Sequence, residues 1–237
     1  ELGSFIHYDT DDLLTEIYPG HRLFEVYRDR HLSELTQNLY YNADLVTVTQ
    51  SKFANRIEEY VRGTLAVIKN GFFGRPPIGP EGPEDWQQKV WDEYTRILVG
   101  PQKHKNWQIF QALPCDKYGS MYLYIDVAIA PLEWNNFNDS KSEIKLMEAG
   151  RYGIPLIATD CGAYDEVIEN GVTGYLISKE NKRSDWTKAI SKCVKDPKHA
   201  RQMGENLKKI VNERYNINNV IHHRLDLYKQ LLNHDKN

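Results

Sequence analysis

The stretch that decides the fold runs from Asn138 to Val167 and reads NDSKSEIKLMEAGRYGIPLIATDCGAYDEV. Its pattern predicts a short polar loop, then an amphipathic helix, a buried strand and a glycine turn. Ser140 and Glu143 have the S-x-x-E spacing of a capping box, which places the start of the helix near Lys141.

Several backbone N–H groups at this predicted helix start have no partner within the helix, and together with the helix dipole they form an anion site. Lys141 and Lys145 add positive charge beside it. Glu148 follows Ser140 by eight residues, about 12 Å along a helix. A diphosphate at the helix start would therefore let a linked ribose reach back to Glu148. The alternative is an ordinary capped helix with solvated lysines and a surface glutamate.

Composition bounds the class of protein. The 237 residues are 41% hydrophobic and 27% charged, which suits one large domain or two small ones, and the net charge of −3 gives no basic field for nucleic acid. The three cysteines are widely spaced, which argues against a zinc site or a disulfide framework and favours a reducing cytosol. No apolar run approaches the ~20 residues of a transmembrane helix, and no signal peptide is visible. We therefore expect a cytoplasmic protein. Because the sequence does not begin with Met, we also expect that residues precede Glu1 in the full protein.

Strand-like and helix-like segments alternate along the chain, which predicts parallel sheets with helical crossovers. The predicted strands are SFIHYD, ADLVTVT, TLAVIKNG, RILVGP, DVAIAPL, PLIATD and GVTGYLIS. The predicted helices cover 22–42, 50–61, 86–95, Ser184–Lys195, Pro197–Glu213 and Asn218–Leu232. Between them, FFGRPPIGPEGPED (72–85) is dense in Gly and Pro, which is typical of a linker or surface loop. An interruption of the chain near Gly74–Gly82 is the other interpretation.

The deciding stretch resembles the donor-site signature of GT-B glycosyltransferases of the large retaining family 4 type. The matching elements, in order, are Glu148-Ala149, Gly153-Ile154-Pro155, Ala158-Thr159-Asp160, Gly162, Glu166-Val167-Ile168 and Gly171-Val172-Thr173-Gly174-Tyr175-Leu176. YIDVAIAPLEWNNFNDSKSEIK (124–145) is also similar to a phage and bacterial subgroup with D-x-x-x-x-P-L followed by F-N-x-x-K-S. The close resemblance covers about Tyr118 to Ile177.

The resemblance implies an α/β protein of GT-B fold, in which two Rossmann-like domains with parallel sheets face each other across a cleft. Residues 1–71 would be the C-terminal part of the acceptor-side domain, which is incomplete at its start. Residues 72–215 would form the donor domain, and residues 216–237 a terminal helix that crosses back to the N-terminal domain.

The resemblance also implies a nucleotide-sugar donor in the crevice at the carboxyl ends of the second sheet. Glu148 would hold the ribose, and the helix start would hold the diphosphate. The donor-binding candidates are Asn138, Ser140, Lys141, Ser142, Lys145 and Glu148. Lys103 and Lys105 follow a predicted strand and either contact the phosphates or are solvated loop lysines. Many relatives carry two glutamates separated by seven residues; Glu148 matches the second, and Ser140 stands in place of the first.

The acidic sequence near the N-terminus allows three interpretations. Asp9-Thr10-Asp11 is a DxD, which holds a divalent metal in GT-A enzymes. The GT-B resemblance instead places this strand end at the cleft, with His7 and Asp9 as catalytic candidates, and implies no metal or other cofactor. A helix-capping acidic loop is the third possibility.

The predicted function is therefore transfer of a sugar from a nucleotide-sugar to an acceptor hydroxyl, with retention and without a metal. The acceptor is open between a glycan, a lipid-linked sugar and a modified DNA base. The alternatives are a nucleotide-sugar binding module without catalysis and a GT-B-like sugar-nucleotide epimerase.

Overall fold

The computed structural model describes residues 5–71 and 119–234. Four sequence predictions lie outside these ranges: the linker at 72–85, the helix at 86–95, the strand RILVGP and the phosphate contacts of Lys103 and Lys105. We refer to residues 5–71 as the first lobe and to residues 119–214 as the second lobe. Within the described ranges, no helix combines the length and the apolar composition that crossing a membrane requires.

The first lobe is built on a parallel sheet in the order β1-β2-β3. Its register pairs His7 with Leu45 and Leu45 with Thr64. The strands are β1 (His7–Thr10), β2 (Leu45–Val48) and β3 (Thr64–Val67). The α-helices are α1 (Phe24–Tyr27), α2 (Arg30–Asn42) and α3 (Ser51–Ile57), with 3-10 turns at Leu14–Glu16 and Glu58–Tyr60.

The helix predicted over 22–42 is interrupted between α1 and α2. The Asp29 carboxylate accepts a hydrogen bond from the backbone N–H of His31 at 2.8 Å and so caps the second helix. A short carboxylate that bonds its own backbone favours a helix start over a helix interior. The single predicted helix is therefore wrong at this point, and the chain bends at Arg28–Asp29.

The second lobe repeats the arrangement with a parallel sheet in the order β4-β5-β6. The strands are β4 (Ala128–Ala130), β5 (Leu156–Thr159) and β6 (Gly174–Ile177). The helices of this lobe are α4 (Asn136–Asp139), α5 (Ile144–Arg151), α6 (Arg183–Lys195) and α7 (Pro197–Arg214), with 3-10 segments at Gly119–Tyr124 and Tyr164–Glu166. The terminal helix α8 (Ile217–His234) follows the second lobe. The parallel sheets with helical crossovers that the sequence predicts are confirmed for these segments.

Each lobe has its own apolar core, and one side chain crosses between them. Tyr40, Phe53 and Ile57 are buried in the first lobe, and Leu146 is buried in the second. Phe137 belongs by sequence to α4 of the second lobe, yet it is buried in the core of the first. The start of the second lobe's helical region is therefore anchored in the first lobe by apolar burial.

The last helix, α8, contacts the first sheet. The Tyr228 hydroxyl lies 3.0 Å from Nδ1 of His7, and the Arg224 guanidinium donates to Asp9 at 3.0 Å. The ring of His7 meets the ring of Tyr228 edge-on. These contacts place the C-terminal helix against β1, more than two hundred residues away along the chain.

Candidate functional site

The carboxyl ends of the two sheets meet at a polar junction between the lobes. The Gln50 amide, two residues after β2, donates to the carbonyl of Asp139 at 2.8 Å. The Lys52 ammonium donates to the carbonyl of Gly162 at 2.7 Å and to the Asp165 carboxylate at 2.9 Å. Gly162 follows β5, so the junction joins the carboxyl edges of β2 and β5. Such edges are where parallel α/β sheets place their ligand crevices.

Asp139 is the central anion of this junction. Its side chain is 7% exposed, lies 2.9 Å from the Arg56 guanidinium and 3.6 Å from the Lys52 ammonium, and accepts the backbone N–H of Gly162 at 3.1 Å. Burial opposes the charge on Lys52, but the hydrogen bond to Asp165 and the charge of Asp139 raise its pKa. Sequence reasoning missed Asp139, because in the sequence it is one polar residue of a loop with no spacing that marks it.

A second set of contacts fixes the entrance to α5. Glu143 is buried, and its carboxylate accepts the Tyr215 hydroxyl at 2.6 Å and pairs with the Lys69 ammonium at 3.1 Å. Lys69 also pairs with Glu166 at 2.6 Å. Lys69 lies two residues beyond β3, so the helix entrance is tied directly to the strand that ends the first lobe.

The predicted capping box is wrong. The helix α5 begins at Ile144 with Glu143 at the N-cap position and without a side-chain cap. Ser140 closes the short helix α4 instead, with its hydroxyl donating to the carbonyl of Asn136 at 2.8 Å. The physical reason is that α4 takes up the residues before Ser140, and the Glu143 carboxylate gains more from the buried Tyr215 and Lys69 than from the backbone of its own helix.

The predicted donor-binding residues lie in two groups. Asn138 and Ser140 are buried, and the Asn138 amide donates to the carbonyl of Glu133 at 2.8 Å. The others lie around the entrance of α5: Lys141 places its ammonium 4.6 Å from the Phe137 ring centroid, and Ser142 receives a hydrogen bond from Asn70 at 3.3 Å. The buried pair thus shapes the loop, and the second group borders the junction.

Glu148 lies half-buried on α5, one turn after Lys145. Its carboxylate accepts the Tyr122 hydroxyl at 3.0 Å and the Lys145 ammonium at 3.1 Å. Tyr122 comes from the 3-10 segment before β4 and stacks on Tyr152 with ring centroids 5.5 Å apart. The sequence spacing did not indicate Tyr122, whose role depends on how that segment packs against α5.

His7 and Asp9, the first and third residues of β1, belong to one hydrogen-bonded chain. The Thr47 hydroxyl donates to Asp9, so Nε2 of His7, 2.8 Å from the same oxygen, must carry the proton and donate to Thr47. Nδ1 then accepts from the Tyr228 hydroxyl at 3.0 Å. Both ring nitrogens therefore have protein partners, and a direct contact of His7 with a sugar requires one of these bonds to open.

The charge states of this chain follow from its surroundings. Burial lowers the pKa of His7 despite the neighbouring Asp9, which favours the neutral imidazole. Burial works against ionisation of Asp9, but the Thr47 hydroxyl and the Arg224 guanidinium outweigh it and lower the pKa. Burial, together with the charges of Asp9 and Asp12, raises the pKa of Asp11. In the part of the chain that the structure describes, no group of three or more His, Cys, Asp or Glu side chains is arranged to hold a metal ion.

Two parallel α/β lobes joined at the carboxyl ends of their strands define the GT-B class, and solved structures agree. Sucrose-phosphate synthase from Thermosynechococcus elongatus superposes with a TM-score of 0.66 at 17% identity over 95% of this chain and 67% of that one. HepE from Anabaena, solved in complex with UDP-glucose, superposes with a TM-score of 0.62 at 17% identity over 94% of this chain and 72% of that one. The predicted GT-B fold is therefore confirmed.

The family follows from the sequence comparisons. Residues 102–210 match the sequence model of the glycosyl transferases group 1. YtcC of Bacillus subtilis (strain 168), whose name assigns it to the glycosyltransferases, is 29% identical over 149 residues, which cover 62% of this chain. The N-acetyl-alpha-D-glucosaminyl L-malate synthase of Bacillus anthracis is 34% identical over 92 residues, or 39% of this chain. The chain is therefore similar to the glycosyl transferases group 1 over residues 102–210, a little under half of its length, and the predicted family resemblance is confirmed.

The matched regions cover only part of the length of each relative. They span 35% of the length of YtcC and 24% of the length of the Bacillus anthracis synthase. The match to the family model, at residues 102–210, falls mainly on the second lobe, which the resemblance assigns to the donor.

Proposed function

We propose that this protein is a glycosyltransferase that moves a sugar from a nucleotide-sugar donor to an acceptor hydroxyl, with retention and without a metal. The observation that carries the proposal is the position of Glu148. Its half-buried carboxylate lies on α5, the helix of the family signature, about one turn after the entrance that Lys69 and Glu143 tie to the first lobe. HepE, which shares the fold, has been solved with UDP and with UDP-glucose, and this supports a nucleoside diphosphate as the ligand of such a site.

In this proposal Glu148 accepts hydrogen bonds from the ribose hydroxyls of the donor. The Tyr122 hydroxyl and the Lys145 ammonium hold the carboxylate in place before the donor arrives. A preorganised carboxylate binds two hydroxyls without first losing rotamer freedom, which improves affinity.

The leaving diphosphate is stabilised by positive groups. The entrance of α5 presents backbone N–H groups together with the Lys141 and Lys145 ammonium groups, and these oppose the charge that develops on the diphosphate. Lys103 and Lys105 remain proposed phosphate contacts outside the described residues. Asn138, Ser140 and Ser142 shape the loop around the donor.

At the acceptor side, His7 and Asp9 are proposed to face the transferred sugar. The neutral imidazole and the ionised carboxylate suit hydrogen bonding to hydroxyl groups at neutral pH. When His7 contacts the sugar, the hydrogen bond between His7 and the Tyr228 hydroxyl breaks. Tyr228 lies on the terminal helix α8.

A binding module without catalysis is the second candidate, because Ser140 occupies the place of the first signature glutamate. Ser140 is fully buried, and its hydroxyl donates a hydrogen bond to the carbonyl of Asn136. It cannot replace a glutamate at the donor sugar without a change in this loop.

The decisive experiment measures the melting temperature of the full-length protein with UDP, GDP, ADP, CMP and their sugars. A ligand at 100 times its Kd stabilises the folded state by about 2.7 kcal/mol. We expect one nucleoside diphosphate to raise the melting temperature and Glu148→Ala to abolish the shift. Asp185→Asn, at a partly exposed carboxylate on α6, is the matched control and should keep the shift.

A turnover assay then distinguishes the glycosyltransferase from the binding module. Release of nucleoside diphosphate from the donor in the presence of acceptor indicates a transferase, and binding without release in any acceptor mixture indicates the binding module. If no nucleotide shifts the wild type, the donor site assigned to Glu148 is wrong.

A further inference from the structure

A separate open pocket lies at the carboxyl edge of the second sheet, between the loops that follow β4 and β6. It is lined by Glu133, Trp134, Lys179, Glu180 and Asn181 and has a volume of about 590 Å³. Volumes of about 300–1,000 Å³ are usual for small-molecule sites. Neither the donor nor the catalytic candidates line this pocket, so its residues have no role in the proposed function so far.

Asn181, which lines the pocket, is held in a left-handed backbone conformation. Asn181 has φ of 52°, in the left-handed region that residues other than glycine rarely adopt. Three hydrogen bonds hold its side chain: the amide accepts from Thr159 at 2.8 Å and from Trp186 at 3.2 Å, and it donates to the carbonyl of Leu132 at 2.7 Å. Strained residues held by such networks cluster at binding sites.

The same network joins all three strands of the sheet. The Thr159 hydroxyl, at the end of β5, accepts the backbone N–H of Leu132 at 3.0 Å and donates to Asn181. Leu132 follows β4 and Asn181 follows β6. The two loops that form the pocket walls are therefore fixed relative to each other before any ligand binds, which reduces the entropy cost of binding.

The walls combine an aromatic surface with charged acceptors. Trp134 remains 42% exposed, and the Lys179 ammonium lies 5.1 Å from its ring centroid, a cation–π distance that fixes the indole. Glu133 and Glu180 add two carboxylates. A hydrogen bond from the Ser178 hydroxyl lowers the pKa of Glu180, so this carboxylate is ionised and accepts hydrogen bonds at neutral pH.

These groups select the chemistry of the ligand. Two carboxylates against one ammonium disfavour phosphate and other anions, since the pocket carries net negative charge. Carboxylates accept from hydroxyl donors, and an exposed indole offers a flat apolar surface. A neutral ring with an apolar face and a rim of hydroxyl groups satisfies all of these features, and a sugar ring has both.

We propose that this pocket binds one neutral sugar ring of a glycan acceptor, with the ring against Trp134 and its hydroxyls donating to Glu133 and Glu180. The assignment to the acceptor rests on the transferase function proposed above. It favours a glycan over a modified DNA base, whose phosphates the two carboxylates would repel.

The test follows the indole N–H signals of the ¹⁵N-labelled full-length protein during titration with glucose, N-acetylglucosamine and cellotriose. The chain has five tryptophans, and Trp134→Phe assigns the signal of interest. We expect that signal to shift saturably at millimolar sugar. Trp134→Ala removes the reporting indole, so its sugar affinity is measured by calorimetry, and we expect it to be about tenfold weaker, as loss of one aromatic contact implies. Glu180→Gln should weaken it severalfold, and Val194→Ala, a remote exposed position, should not.

The outcomes separate this inference from the proposed function. A Trp134 signal that does not move at up to about 50 mM of any of the sugars, while UDP still stabilises the protein, overturns the pocket and leaves the donor site intact. A shift with UDP-glucose but with none of the free sugars overturns the acceptor assignment, because the pocket then belongs to the donor. A shift with free sugars without any nucleotide binding supports the sugar pocket and contradicts the transferase proposal.

Discussion

At the scale of single residues, Asp139 shows how much of this protein depends on a buried charge. Its carboxylate has two cationic neighbours, Arg56 and Lys52, and a backbone donor, Gly162. All three come from other parts of the chain. A buried ion pair is costly to break from one side, because the remaining charge stays desolvated.

We expect Asp139→Asn to destabilise the protein by about 3 kcal/mol, the lower end of the range for a broken buried pair, since Arg56 and Lys52 are partly exposed. Urea unfolding followed by circular dichroism measures the change. Glu25→Gln, which removes an exposed pair with Arg28, is the control and should change stability by less than about 1 kcal/mol. Equal effects of the two substitutions would contradict the assigned role of Asp139.

At the scale of elements, the packing of α7 fixes the position of α5, the helix that carries Glu148. Gly150 of α5 faces Val211 of α7, and a Cβ at Gly150 would lie 2.5 Å from the Val211 side chain. Gly204 of α7 is tighter still, because a Cβ there would lie 1.9 Å from the carbonyl of Gly153. Both glycines allow helix and turn backbones to approach closely, and this contact positions the helix that carries Glu148.

We expect Gly204→Ala to cost about 1–3 kcal/mol, because the clash is with backbone and the turn after α5 must move. Thermal unfolding measures the loss. Gln202→Ala, an exposed position of the same helix, is the matched control and should be nearly neutral. A neutral Gly204→Ala would show that α7 can shift away from the turn without loss of packing.

The terminal helix α8 is attached to the first lobe through the pair of Arg224 and Asp9. The pKa of Asp9 is lowered in the folded protein, so its contribution to stability is present above the unfolded pKa of about 3.9 and is lost as the pH falls through the lower folded value. Since Asp9 is half-exposed, the contribution is at most about 1 kcal/mol.

We therefore expect Asp9→Asn to lose less stability than the wild type when the pH is lowered from about 5 to about 3. The urea midpoints at the two pH values give the comparison. Asp226→Asn removes an exposed carboxylate of α8 that pairs with Lys229, and it should behave as the wild type. If Asp9→Asn and the wild type lose the same stability, the pair does not couple α8 to the first lobe.

At the scale of the whole molecule, charged contacts join the two lobes at the polar junction. Lys52 reaches the second lobe from α3, and Lys69 reaches it from the end of β3. Both ammonium groups are about one quarter exposed, so added salt screens them less than surface pairs. The relative position of the lobes is therefore set at the same place where the substrates are proposed to bind.

We expect the double substitution Lys52→Met and Lys69→Met to lower stability by about 2–4 kcal/mol and to increase the radius of gyration measured by X-ray scattering. Lys195→Met, at the exposed end of α6, is the control. An unchanged radius of gyration together with an unchanged urea midpoint would show that apolar contacts such as that of Phe137 hold the lobes on their own.

The sequence by itself determined most of the elements and the resemblance to a glycosyltransferase family. Alternation of apolar strands and amphipathic helices predicted the parallel sheets, and the last three helices lie within a few residues of their predicted bounds. Gly162 and Gly171, both read as turn residues, have positive φ of 67° and 79°. These features are local, because periodicity and turn chemistry depend on residues close together in the chain.

Only the tertiary structure decided which polar residues meet. Glu143 looked like a capping residue, and its partner Tyr215 lies 72 positions away. The chain from Asp9 through Thr47 and His7 to Tyr228 joins the first strand to the last helix. The roles of Glu148 and the other donor candidates stay predictions. Spacing along a sequence cannot show such pairs, because a buried charge takes the partner that packing brings to it, wherever that partner lies in the chain.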